Sequence, residues 1–263
     1  MRRRHPPAPA PILGGYFSGE VAALGRGVTG FAVGDAVFGS AGLRLGAYGE
    51  YVALPAHSTI VPKPRTMSFV EAAAVPLGGL NALHFMRLGR VSAGEAVLVN
   101  GAGGSIGAHA VQIAKSLGAE VTGVDHGMKE QFVRRMGADH FVDYTREDFT
   151  RSDRPFDVVF DMVARSDYGA CLGVLRAGGR YLAGNPRLSV MLRAVLTTRF
   201  TDKTARFAFA AETRDELATL AAMAESGTLR PIVNHVYGMA QAVEAHRLVE
   251  TEQRLGAVVI EIG

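Results

Sequence analysis

Tryptophan is absent from this 263-residue sequence, and cysteine occurs once, at Cys171. A single cysteine excludes an internal disulfide and any zinc site built from several thiolates. It fits a reducing cytoplasm. Lysine is scarce too: it occurs only at Lys63, Lys115, Lys129 and Lys203, so arginine carries most of the positive charge. The net charge is +3, and the basic residues are spread along the chain apart from Arg2-Arg3-Arg4. A nucleic-acid binder would gather them into a stripe, so no nucleic-acid partner is expected. No run approaches the roughly 18 apolar residues of a membrane-spanning helix, so no membrane partner is expected either. Residues 1–11 lack the apolar stretch of a signal peptide and read as a frayed tail. The rest is a folding composition, 48% hydrophobic and 20% charged. The length suits one large or two modest domains with a full core.

Two patterns divide the chain. Residues 12–62 read as short β elements broken by glycine. Residues 33–39 form a turn opening into a strand, and 49–54 alternate polar and apolar side chains with period two. After Pro62-Lys63-Pro64, Ser68 and Glu71 have the spacing of a capping box. An Ala-rich helix follows, with Pro76 expected to interrupt it. From about residue 95, strands alternate with helices. The strands lie at 96–100, 120–124, 140–143, 156–161 and 180–183, and the helices at 106–117, 129–136 and 170–175. Such alternation predicts a doubly wound parallel sheet covered on both faces, an α/β fold. An amphipathic helix at 213–226 is followed by strands at 232–233 and 257–262, with helical 240–250 between them. This tail resembles the β-rich start. A discontinuous domain of residues 1–66 and 230–263, with 67–229 inserted in it, explains that order.

The most informative segment is Asn100-Gly101-Ala102-Gly103-Gly104-Ser105-Ile106-Gly107, which follows a strand and opens a helix. In that context Gly101 and Gly104 permit a tight turn and close approach to a pyrophosphate, and Gly107 permits close helix–strand packing. The helix N-terminus favours the phosphates. No Lys-Ser/Thr follows the loop, which argues against a nucleoside-triphosphatase. The next strand ends at Asp125, eighteen residues past Gly107, where dinucleotide binders place the ribose-contacting acid. Asp125 favours NAD(H). His126 and Lys129 could instead face the 2′-phosphate of NADP(H), and a solvated role for Lys129 is equally compatible with the sequence. The residues leave that choice open. Cys171 lies in an apolar helix and reads as core.

Further stretches carry a family resemblance. They are residues 30–39, 71–77, 100–107, 110–115, 137–140, 143–145, 156–159, 177–180 and 245–250. Together they resemble the zinc-independent, quinone-oxidoreductase-like branch of the medium-chain dehydrogenase/reductase superfamily, from about residue 12 to the end. The resemblance implies a Rossmann domain, a GroES-like β-rich domain, and reduction of a quinone or an α,β-unsaturated carbonyl by NAD(P)H. It implies cofactor contacts at Ser105, Ile106, Asp125, Lys129, Tyr144, Gly184, Asn185, Phe207 and Phe209, which join Gly101, Gly103, Gly104, Gly107 and His126 as the candidate cofactor-binding residues. Asn81 falls where the family has a polar residue near the cofactor. A proton could come from Tyr48, Tyr16 or water. A homodimer through the edge of the Rossmann sheet is implied as well.

Zinc-dependent relatives carry a Gly-His-Glu motif near the start; here Gly15 stands at the His position. His57, His84 and His109 have no ligand spacing, so no metal is expected. Tyr16 replaces the acid usual in zinc-free relatives; it reads as packing beside Phe17 or as a cleft-lining phenol. The family's first strands, before Ile12, are replaced by Arg/Pro/Ala. The GroES-like domain is therefore expected to be partial, as in a fragment, a shortened reading or a natural minimal form. A partial barrel exposes strand edges, which invites dimerisation. The alternative to a reductase is a nucleotide-binding scaffold or sensor without turnover.

Overall fold

The computed structural model describes residues 12–262. The Arg-rich tail expected at 1–11 lies outside the described residues. The first module is an antiparallel sheet of β1 (Tyr16–Glu20), β2 (Ala36–Ser40) and β3 (Ile60–Pro62), with β2 central and Phe38 fully buried. The strand expected at 49–54 does not form. Both edges of β2 are occupied by β1 and β3. The alternating segment therefore runs as a loop, and Tyr51 is 78% exposed.

Helix α1 (Phe69–Leu88) starts with the predicted capping box. Ser68 Oγ accepts the Glu71 N–H at 3.2 Å, and Glu71 Oε2 accepts the Ser68 N–H at 2.8 Å. Pro76 does not interrupt it: the helix runs through all 20 residues. A proline inside a helix costs about 3 kcal/mol, through the missing hydrogen bond and the crowding of its ring against the preceding turn. Burial of Val75, Leu80, Phe85 and Met86 among the core residues offsets it.

The remaining elements, in chain order, begin with β4 (Ala96–Asn100), α2 (Ser105–Ser116), β5 (Glu120–Asp125), α3 (Glu130–Arg135) and β6 (His140–Asp143). Next come β7 (Phe156–Asp161), α4 (Tyr168–Gly173), β8 (Leu175–Ala183), α5 (Leu188–Phe200) and β9 (Thr204–Phe207). The chain closes with α6 (Arg214–Glu225), β10 (Val233–Gly238), α7 (Ala242–Glu250) and β11 (Ala257–Glu261). Six strands form one parallel sheet in the order β6-β5-β4-β7-β8-β9. This is the doubly wound order, with its topological switch between β4 and β7.

Alternation along the strands builds a core on each face. Val97, Val99, Val158 and Phe160 pack with α1, α2 and α6. Leu98 and Val159 pack with Tyr168 and Cys171 of α4 and Ala194 of α5. Burial pushes the Cys171 thiol up to about 12, so it is an inert core group. Strands β10 and β11 pair in parallel with each other, not with β1–β3, and Ala257 and Val259 pack on Ala74 of α1. The tail strands thus exist but make a sheet of their own.

Candidate functional site

In an open α/β sheet, ligands bind beyond the carboxyl ends of the strands at the switch point. Here that place is the turn from β4 into α2. Gly101 has φ +87°, a conformation other residues adopt at a cost, and its N–H and that of Ala102 bond to Val124 O at 3.0 and 3.1 Å. At Gly107 a Cβ would run into Gly101 O and lie 2.8 Å from Ala102 Cα, so only glycine lets α2 start this close to β4. Gly104 differs from the sequence expectation. It is the N-cap of α2 in extended geometry, a Cβ there would meet nothing nearer than 3.6 Å, and it supplies no side-chain cap. The first-turn N–H groups of α2, at Ser105, Ile106 and Gly107, have no intrahelical acceptors. The positive end of the helix is therefore left free for an anion.

The Ser105 hydroxyl is buried against Gly78 of α1 and has no hydrogen-bond partner. One turn on, His109 is fully buried, with Nδ1 2.7 Å from Ser105 O and Nε2 unpartnered. Burial lowers its pKa to about 4 and keeps the ring neutral.

The crowded glycine is Gly103, where a Cβ would lie 2.5 Å from Lys129 Cδ and 2.9 Å from Asp125 Oδ2. Asp125, at the end of β5, accepts the Gly103 N–H at 2.7 Å. Lys129 is not solvated: both side chains are buried, with Nζ 3.2 Å from Asp125 Oδ1. Lys129 Nζ also donates to the Glu252 carbonyl at 2.9 Å. The segment after α7 lies along the loop, since Gly256 N donates to Gly103 O at 3.2 Å and bridges with Gly104. Glu252 and Gly256 are site residues that sequence reading missed, because only the fold brings them there.

Outward from Asp125, His126 and Tyr144 meet edge to face at 6.0 Å, and Tyr144 is exposed. Gly184 follows β8, and its N–H bonds to Asp161 O at 2.8 Å. Asn185 is exposed, as is Phe209 at 85%, whereas Phe207 at the end of β9 is half-buried. Beneath the switch point lies a polar cluster the sequence did not reveal. Asp161 accepts from Asn100 Nδ2 (2.9 Å), Ser166 Oγ (3.0 Å), Val163 N (2.9 Å) and Tyr181 Oη (2.8 Å). Burial raises its carboxyl pKa against the pull of those four donors.

The two residues singled out for chemistry are not brought together by any recorded contact. Asn81 bonds to its own helix, Nδ2 to Leu77 O at 2.9 Å. Tyr48 Oη lies 3.3 Å from His246 Nε2 of α7, and burial raises its pKa. Tyr16 is neither simple packing nor a free phenol. It donates to Glu212 Oε1 at 2.6 Å, Ser40 Oγ donates to Glu212 Oε2 at 2.5 Å, and Thr59 Oγ1 bonds to the Glu212 carbonyl. Burial and then Glu212 push the Tyr16 phenol upward. Glu212 sits at φ +49°, between β9 and α6, and ties the first sheet to the carboxyl end of the large one. Among the described residues, no cluster of three His, Cys, Asp or Glu side chains could hold a metal.

The order of the sheet, the open α2 N-terminus and Asp125 at the β5 end define a Rossmann-type dinucleotide-binding protein, with a β-rich module beside it. Residues 1–65 match the alcohol dehydrogenase GroES-like domain, and residues 136–260 match the family described as zinc-binding dehydrogenase. The chain is 30% identical to the quinone oxidoreductase of Pseudomonas aeruginosa, over 94% of this chain and 81% of that one. It is 29% identical to 2-methylene-furan-3-one reductase of Solanum lycopersicum, over 96% of this chain and 64% of that one. The solved quinone oxidoreductase of Coxiella burnetii superimposes with a TM-score of 0.87 at 29% identity, covering 95% of this chain and 79% of that one. Against the longer relatives it matches, the chain spans from 5% to 64% of their length. The chain belongs to the medium-chain dehydrogenase/reductase superfamily, in its quinone-oxidoreductase-like branch.

Proposed function

We propose that this chain is an NAD(P)H-dependent oxidoreductase that passes hydride to a quinone or to the activated C=C bond of an α,β-unsaturated carbonyl. The observation that carries this is the uncapped α2 N-terminus behind a glycine loop, with Asp125 set beside it. The printed activities of the relatives, quinone oxidoreductase and 2-methylene-furan-3-one reductase, support the substrate class. The bound cofactor supplies the hydride; the chain supplies position and electrostatics. In this reading the α2 first-turn N–H groups at Ser105, Ile106 and Gly107 hold the pyrophosphate. Gly101, Gly103 and Gly104 admit it, and Asp125 holds the adenosine ribose, with His126, Lys129 and Tyr144 around it. Gly184, Asn185, Phe207 and Phe209 border the nicotinamide end. Asn81 and Tyr48 complete the cleft, in which residues 1–66 and 230–263 form the substrate module beside the 67–229 nucleotide module. No step requires a metal ion. A cytoplasmic location suits the single buried thiol.

A homodimer is the assembly the surface supports. Helix α5 turns Ala194 and Thr197 inward and leaves Leu188, Leu192, Val195, Leu196 and Phe200 exposed. That is a contiguous apolar face of a kind monomers seldom show. On its inward side, Ala194 of the helix packs with Ala205 of β9, and β9 pairs only with β8 and so presents a free edge among the described residues.

The test is substrate-dependent oxidation of NADH or NADPH by the purified chain, with a panel of quinones and enones. Turnover abolished by Gly104→Asp supports the reductase. Cofactor binding without turnover on any acceptor supports a scaffold or sensor instead.

A further inference from the structure

One short segment joins the first sheet to the large one. Glu212, between β9 and α6, is half-buried and accepts from Tyr16 Oη at 2.6 Å and from Ser40 Oγ at 2.5 Å. Tyr16 of β1 and Ser40 of β2 face each other in register. The Glu212 carbonyl accepts from Thr59 Oγ1, and the Thr59 carbonyl accepts the Ser40 N–H at 2.9 Å. Two residues on, Arg214 donates to the Ala56 and Ser58 carbonyls and lies 5.7 Å from the centre of the Phe31 ring. The other side of the segment is anchored in the nucleotide module, where buried Glu216 of α6 lies 3.6 Å from His84 of α1. Glu212 holds φ +49°, a conformation that a non-glycine residue keeps only where its surroundings fix it.

Phe207 and Phe209, which border the nicotinamide in the proposed reading, lie just upstream at the end of β9. Three residues of chain from Phe209 to Glu212 span at most about 11 Å. A shift at one end therefore reaches the other with little slack to absorb it. A carboxylate only accepts, so the Tyr16 and Ser40 hydroxyl protons are both committed to Glu212. These two hydroxyls hold position and do not protonate the acceptor. We propose that Glu212 is a positioning residue that couples the Phe207–Phe209 segment to β1 and β2, so that the substrate module takes up one fixed position over the nicotinamide. This rests on the reading of Phe207 and Phe209 as the nicotinamide border.

Hydrogen exchange of the full chain, with and without saturating NADH and, separately, NADPH, tests the coupling without turnover. In the wild type, the cofactor that binds is expected to slow exchange at least threefold in residues 207–212. The same slowing is expected in 16–20 and 36–40, which carry none of the proposed cofactor residues. Glu212→Ala is expected to keep the slowing in 207–209 and lose it in β1 and β2. Glu212→Gln, whose amide can accept from one hydroxyl and donate to the other, is expected to restore it. Circular dichroism confirms that each variant is folded. If Glu212→Ala does not fold, Ser40→Ala removes one of the two donors and is expected to at least halve the slowing in β1. In turnover of 1,4-naphthoquinone, Glu212→Ala is expected to raise the quinone KM at least fivefold, with the cofactor dissociation constant within twofold of wild type. Slowing in β1 and β2 that persists in Glu212→Ala, or an unchanged quinone KM, overturns the proposal. A wild type that turns over no acceptor removes the reductase reading, and the exchange result then decides the coupling alone. No slowing in 207–209 with either cofactor overturns the nicotinamide border, and the proposal with it.

Discussion

Single residues in the glycine loop differ sharply in what they tolerate. Gly107→Ala would drive a methyl into Gly101 O, so it is expected to lower stability by about 2–3 kcal/mol, read by urea denaturation. Gly104→Asp has room and places a good N-cap at α2, so thermal stability should hold while its charge repels the pyrophosphate. A melting curve and a cofactor titration on the same sample separate the two effects. The sequence names both glycines but cannot rank them, because the ranking depends on where Gly101 O and Lys129 lie. His109 sets a pH dependence. Its folded pKa, about 4, is below the ordinary 6.5, so its neutral form stabilises the fold at neutral pH. That contribution is complete above pH 6.5 and is lost as pH falls toward 4, on the order of 3 kcal/mol in all. Stability measured at stepwise pH values should show this decline, and His109→Gln should flatten it. An unchanged slope in the variant would contradict the assignment.

Elements were legible in the sequence where a pattern meets its own partner. The βαβ run from β4 to β8 was readable because buried parallel strands are continuous apolar words. The α1 capping box was readable because Ser68 and Glu71 satisfy each other locally. The strand expected at 49–54 failed for the opposite reason: alternation is only half a strand, and no free edge of β2 is left to pair with it. Helix α5 went unread because its apolar face looks outward, and β9 because it is short and edge-placed. The Tyr16–Glu212–Ser40 tie spans nearly 200 residues, so no local pattern announces it. Tyr16→Phe deletes one charge-assisted bond to Glu212 and is expected to cost about 1.5 kcal/mol in chemical denaturation. A variant as stable as the wild type would show that this tie does not hold β1 to the α6 approach.

At the scale of the whole molecule, the proposed cofactor residues come from distant parts of the chain onto the carboxyl ends of one sheet, and the last segment closes over the glycine loop. That convergence was foreseeable as far as Asp125, eighteen residues from Gly107; the contribution of Glu252 and Gly256 was not, since it needs the fold. The exposed face of α5 makes a separate prediction. Leu192→Glu with Leu196→Glu should turn a dimer into a monomer in sedimentation velocity while leaving the circular dichroism unchanged. A wild-type monomer at micromolar concentration would remove the dimer. The most direct test of the account is oxidation of bound NADH on addition of a quinone or an enone, followed for the wild type beside Gly104→Asp. The account predicts acceptor-dependent oxidation in the wild type and none in the folded variant. Wild-type protein that binds NADH and yields it to no acceptor would contradict it.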